Sequence, residues 1–287
     1  ARRRDGIFPR HRAMWGLHSL PTPDPVPMPD YLPAKRLLTS LLLALLVALP
    51  GTAQEHDAWT RLLETYVHES ADGVTRVDYA ALAASPEDRA ALNTYIADFE
   101  ARDLSGASNA DFAAWANLYN AVTVRYIVQA YPLESIRGGY LFGGPWKKIK
   151  VMAGGREVSL DAIEHEILRP RFGDPRVHYA INCASYGCPN LLRRAWTADT
   201  LDADLDAAAR DYINHARGVS VGKRGLTVSS IYKWFEADFG GSKDGVIKHL
   251  LEYAEPALAE SLRAAPKIRD YQYDWSLNDT RTDPAND

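Results

Sequence analysis

Asp111-Phe112-Ala113-Ala114-Trp115-Ala116-Asn117-Leu118-Tyr119-Asn120-Ala121-Val122-Thr123-Val124-Arg125-Tyr126-Ile127-Val128-Gln129-Ala130-Tyr131 is the stretch that decides the fold. It is apolar nearly all round a helical projection, which predicts a helix running through the middle of a domain until Pro132 stops it. Asn117 and Asn120 are three apart and share a face with Val124. Buried amides need partners, so these two either tie loop carbonyls to the helix or contact a ligand.

Outward from this helix the periodicity changes repeatedly. Leu62, Leu63, Tyr66 and Val67 are spaced for a helix over residues 57–68, ended by Asp72-Gly73 before a short strand at 74–79. A second amphipathic helix follows Pro86, with Leu92, Ile96 and Phe99 on one face. Beyond Pro132 comes an aromatic, Gly-rich loop containing Tyr140 and Trp146, then a hairpin over 148–158 turning at Gly154-Gly155. Ser159 or Asp161 is expected to cap a helix over 162–168, and residues 176–182 alternate as a strand. A helix over 197–214, a hairpin over 219–228, a helix starting at Ser242 and an aromatic strand over 271–275 complete the reading. Helices and hairpins in this mixed order predict an α+β fold: a helix-rich single domain with a small, mostly antiparallel sheet and a buried central helix.

Upstream, Lys35-Arg36 and the Leu/Ala/Val-rich run to Leu49, then Pro50 and Gly51-Thr52-Ala53, form a cleavable export signal over residues 28–53. The run falls short of the roughly 20 residues a spanning helix needs. No stable membrane insertion is therefore expected, and the product reads as periplasmic or secreted. Residues 1–27, with Arg2-Arg3-Arg4 and alternating prolines, read as an over-extended start or a disordered leader, leaving one domain over 54–287. Seven of the 33 Lys and Arg but only three of the 37 Asp and Glu precede Gln54, so the remaining domain carries −8. That acidic balance excludes nucleic acid as an expected partner.

Unusual residues concentrate in Arg176-Val177-His178-Tyr179-Ala180-Ile181-Asn182-Cys183-Ala184-Ser185-Tyr186-Gly187-Cys188-Pro189, which holds both cysteines of the chain. With the blocks Trp115 to Ala121, Leu160 to Arg169, Ser230 to Phe235 and Tyr273 to Asn278, this segment resembles the domain of unknown function 547 family. The resemblance implies a kind of domain over residues 110–278 and no established reaction.

Three readings follow from the residues. In the first, Cys183 is the nucleophile of a hydrolase or transferase on peptide-like amides or esters, with His178 or His165 as base, Glu164 as orienter and Asn182 as oxyanion donor. An unassisted thiol titrates near pKa 8.5 and needs such a partner. His165 sits between Glu164 and Glu166, whereas a straight strand gives His178 and Cys183 opposite parity. In the second, Cys183 and Cys188 form a disulfide that shapes a non-catalytic module. It would bind a small molecule, peptide or glycan beside Asn117, Tyr119, Asn120, Tyr140 and Trp146. In the third, the two cysteines are a thiol–disulfide switch. No metal site and no cofactor are expected, since two cysteines without paired His spacing fall short of four zinc ligands.

Overall fold

The computed structural model describes residues 54–140, 144–264 and 267–283. The expected leader and export signal lie outside the described residues, as do Leu141, Phe142 and Gly143 of the aromatic loop.

Helix α1 (Asp57–Tyr66) buries Trp59, Leu62, Leu63 and Tyr66 along one stripe. It ends two residues earlier than its periodicity suggests because Val67 continues into β1 (Val67–Glu69), which pairs antiparallel with β2 (Thr75–Val77). Asp78 caps α2 (Tyr79–Ala84), a helix too short to announce itself by period, and Ser85 caps α3 (Pro86–Ala97) with Pro86 at its first position. The long helix α4 (Asn109–Ala130) starts from a capping box between Ser108 and Asp111, and its residues from Phe112 to Val124 are all buried. Helices α2 and α3 pack directly on it. A helix hydrophobic on every side needs neighbours on every side, and this one has them.

The hairpin β3 (Lys150–Ala153) and β4 (Arg156–Ser159) turns at Gly154-Gly155, both with positive φ. Ser159 then caps a helix of three geometries: α5 (Leu160–Ala162), a π-helical stretch (Ile163–Leu168) and α6 (Arg169–Phe172). Pro170 has no N–H and its ring presses on the carbonyl four residues back, which favours the wider turn before it. Gly173, at φ +61, ends α6.

The expected strand over residues 176–182 is a helical turn, α7 (Val177–Ala180). Asp174 accepts from the Arg176 backbone N–H at 2.8 Å, and its carbonyl accepts from Val177. An Asp-Pro start favours a helix N-terminus, and that local signal outweighs the alternation of four side chains. Helix α8 (Leu201–Asn214) follows, then β5 (Val219–Gly222), β6 (Gly225–Ser229), α9 (Ile231–Trp234), α10 (Lys243–Tyr253, capped by Ser242), α11 (Pro256–Ala264) and β7 (Ile268–Gln272).

The class is α+β, with a helix-rich domain built on α4. The strands form two two-stranded sheets and one three-stranded sheet rather than a single one, and β7 runs parallel to β6 while the other pairs are antiparallel. The chain leaves β7 before Tyr273. Its continuation instead meets the cysteine loop, where Tyr186 donates to the Ser276 carbonyl, Gly187 to that of Asp274, and Ser185 bridges to Leu277. A Cβ on Gly187 would meet backbone atoms of Asp274 at 2.9 Å, so only glycine permits this approach.

Candidate active site

The central helix carries the site through its two amides. Asn120 Nδ2 donates to the Ala180 carbonyl at 2.9 Å and its Oδ1 accepts from the Asn182 N–H at 2.8 Å. One helical turn earlier, Asn117 brackets Trp196 in the same way, at 2.9 and 3.0 Å. Each amide spends its oxygen and one N–H on these partners, the tie to loop backbone that two buried amides on one face suggest: they brace the loops that lead into and out of the cysteine segment. Asn182 continues the bracing. Its Oδ1 accepts from Ala184 N–H at 2.8 Å and its Nδ2 donates to the Pro189 carbonyl at 2.7 Å, closing the loop at both ends. Its oxygen and one of its two amide N–H groups are therefore engaged in shaping the loop. Ala184 is held at φ +60, a left-handed conformation that costs a non-glycine residue roughly 1 kcal/mol. The Asn182 bond on one side and the Asn278 N–H on the Ala184 carbonyl on the other, at 3.1 Å, hold it there.

Closed in this way, the loop places both sulfurs on the Tyr273 hydroxyl, 3.1 Å from Cys183 Sγ and 3.0 Å from Cys188 Sγ. Both are free thiols, so the expected disulfide is not what holds this loop; the amides are. The two sulfurs are not equivalent. Burial pushes the Cys188 thiol up, but the Cys183 thiol, the Tyr273 hydroxyl and the backbone N–H groups of Cys183 and Ser185 all point at its sulfur and bring it down to about 7. Cys183 is pushed well above the ordinary thiol value by its interaction with the Cys188 sulfur and by burial. The two thiols titrate as a pair, with the hydrogen bonds that converge on the Cys188 sulfur lowering it and raising Cys183.

The wide turn of the π-helical stretch sends Glu164 inward and leaves His165 at the rim. Glu164 is 8% exposed, and burial is the main reason its carboxyl is raised to about 8, with the charge of Cys188 adding to it and Arg169 opposing. It is therefore a protonated acid at neutral pH. The Tyr119 hydroxyl lies 3.4 Å from its Oε2, and His178 Nδ1 lies 4.0 Å from its Oε1. His178, stacked on Phe235 with ring centroids 4.0 Å apart, turns Nε2 to Asp238 Oδ2 at 2.7 Å. Burial lowers its pKa despite that carboxylate. Asp238 in turn accepts from Arg169 Nε at 2.6 Å and Nη2 at 2.9 Å, and with His178 these bonds hold its carboxyl well below the usual range. His165 faces Arg169, with Nδ1 3.1 Å from Nη1. Among the described residues neither histidine hydrogen-bonds to a cysteine: His178 is turned to Asp238 and His165 to Arg169, while Glu164 is raised towards its protonated form.

These groups open on one cavity of about 210 Å³. Cys183, Cys188, Glu164, His165, His178 and Tyr119 line it, and Trp146, Trp234, Phe235, Tyr273 and Trp275 form its aromatic wall. Of the expected site residues it excludes Asn117, Asn120, Asn182 and Tyr140; Tyr140 lies over the Lys148 ammonium, 4.9 Å from its ring centroid. Asp238, Arg169 and Tyr273 went unassigned in the sequence, although Arg169 and Tyr273 lie inside the resembling blocks quoted above. Among the described residues no group of three or more His, Cys, Asp or Glu is placed to hold a metal ion, and no helix is long and apolar enough to cross a membrane.

In comparison with known proteins, the family described as "Protein of unknown function, DUF547" matches residues 103–213. That span holds both cysteines, Glu164 and His178, and ends before Asp238 and the aromatic wall from Trp234 to Trp275. No curated protein and no solved structure matches the chain.

Proposed function

Because the DUF547 family that residues 103–213 match carries a description that assigns no activity, the chemistry must be read from the cavity, and we propose a cysteine-dependent acyl hydrolase or transferase acting on peptide-like amides or esters. One observation carries the reading: a thiol held near pKa 7 and a carboxyl held protonated face the same aromatic-walled cavity.

The Cys188 thiolate attacks the carbonyl carbon, forming a C–S bond and moving the carbonyl electrons onto oxygen. Collapse of that tetrahedral species breaks the bond to the leaving nitrogen or oxygen, which takes the Glu164 proton. Glu164, now a carboxylate, removes a proton from water or from an acceptor alcohol or amine. That oxygen or nitrogen attacks the thioester, and the thiolate departs. Each cycle restores both groups. A pKa of about 8 suits a group that must both give and take a proton near neutrality. The His178–Asp238–Arg169 chain stands behind Glu164 and fixes the charge around it. Tyr119 and the Cys183 thiol complete the hydrogen bonding of the two reacting groups.

Treating the purified chain with an activated aryl ester tests the reading. A burst of phenol, an acyl adduct mapped to Cys188 by mass spectrometry, and loss of both in Cys188→Ser are expected. An intact burst in Cys188→Ser would defeat it.

A second reading, a thiol–disulfide switch, draws support from the Tyr273 hydroxyl that both free sulfurs share. It predicts a Cys183–Cys188 bridge that forms reversibly in a glutathione redox buffer; acyl transfer needs no such bridge. The export pattern over residues 28–53 adds an extracytoplasmic setting to the proposal, testable by cell fractionation.

A further inference from the structure

The lining of this cavity has a one-sided electrostatic character. Its titratable groups include two carboxylic side chains, Asp161 and Glu164, and two histidines whose protonation burial disfavours; no Lys or Arg is among the lining residues. Of the cations beside it, Arg137 stacks on Trp275 of the wall and two others meet carboxylates. Arg169 is bound to Asp238 and lies 5.0 Å from the Phe235 centroid, and Lys147 is 81% exposed with its Nζ 4.0 Å from Asp161.

The remaining wall is a set of touching rings. Trp275 lies 4.5 Å from Tyr273, 5.4 Å from Trp234 and 5.8 Å from Trp146, centroid to centroid. Ring faces carry partial negative charge and attract cations, and one already does so here: the Arg137 guanidinium sits 4.9 Å from the Trp275 centroid. Asp161 adds a full charge at the rim. Its backbone donates to the Trp146 carbonyl at 3.2 Å, and its carboxylate, a quarter exposed, is otherwise met only at 3.8 Å by His165 and 4.0 Å by Lys147.

We propose that the cavity selects ligands bearing a positively charged amino or quaternary ammonium group, seated against Trp146, Trp234 and Trp275 with Asp161 as its counter-charge. An anionic ligand would meet the Asp161 carboxylate and a thiolate, with no Lys or Arg among the described lining residues and Arg169 and Arg137 behind the rings of Phe235 and Trp275, whereas a cation meets ring faces and a carboxylate. This names a substrate class for the acyl-transfer reading and rests on it for that meaning, but binding can be measured without turnover.

Titration of the purified chain with choline, with its neutral isostere 3,3-dimethylbutan-1-ol and with acetate, followed by tryptophan fluorescence and calorimetry, tests the proposal. Choline is expected to bind about tenfold more tightly than the alcohol, the range of a partly desolvated cation–ring contact. Asp161→Asn should weaken choline about threefold and leave the alcohol unchanged. Trp234→Leu, at a ring 47% exposed and so tolerant of replacement, should weaken choline as well. Equal affinity for choline and the alcohol, tighter acetate, or choline binding indifferent to both variants would each overturn it. Cys188→Ser should lose acyl adduct yet keep choline binding, so failure of the catalytic reading and failure of the ligand class are told apart.

Discussion

His178 Nε2 lies 2.7 Å from Asp238 Oδ2, across sixty residues of sequence, and the same carboxylate receives two bonds from Arg169. This pair fixes the ring that stands behind Glu164 and makes Asp238 the hinge of the site's electrostatics.

Replacing Asp238 with Asn should therefore destabilise the protein. The Asp238 side chain is 23% exposed, so solvent screening holds the loss to about 1–2 kcal/mol. Its folded pKa lies below the ordinary 3.8, so the stability it contributes is present above that value and is lost as pH falls through the folded one. Thermal melts of both proteins across pH should show a full gap above about pH 4 that narrows below it. A gap independent of pH would contradict the assignment.

Glu164 has the opposite sign. Its pKa rises from 4.5 in the unfolded chain to about 8 in the fold, so between those values the unfolded state is ionised while the folded state holds its proton. Stability contributed by the neutral carboxyl is therefore present at low pH and declines as pH rises through that window. Glu164→Gln should gain on the wild type over the same interval in chemical denaturation. Parallel stability curves for the two proteins would show that the carboxyl is not held protonated.

Alkylation by iodoacetamide should label Cys188 with a half-maximal rate near pH 7. Cys183→Ala removes a thiol donor and Tyr273→Phe removes a hydroxyl donor, so each should shift that midpoint upward. Peptide mapping decides between the two sulfurs, and preferential labelling of Cys183 would reverse their roles.

Asn120→Ala leaves the Asn182 N–H without its buried acceptor and takes one of two donors from the Ala180 carbonyl, which keeps the Trp196 indole at 3.2 Å. A loss of about 2–3 kcal/mol follows, or roughly 5–10 °C in melting temperature for a domain of this size. A melt within a degree of the wild type would show that the bracket is dispensable.

How much of this was legible in the sequence depends on the range of the signal. Residues 111–131 announced a buried helix because twenty-one residues of nearly unbroken apolarity leave helix–solvent contact no place, and Asn117 and Asn120 announced bracing because a buried amide must find partners. The hairpin at Gly154-Gly155 and the Ser242 cap were local chemistry and were readable as such. Four residues at Val177 to Ala180 were not, since alternation and a single helical turn look alike over that length, and the Asp174 bond to the Arg176 N–H that settles it belongs to the folded chain.

The cysteine segment itself marked where chemistry is concentrated, and the sequence determined that both thiols lie within six residues of one another. Which sulfur holds the charge was decided only by tertiary structure. Tyr273 arrives from ninety residues downstream of Cys183, Asp238 from sixty beyond His178, and Glu164 is neutral only because the packed domain removes water from it. Burial and long-range hydrogen bonds set those protonation states, and neither is a property of any stretch of chain short enough to carry a pattern.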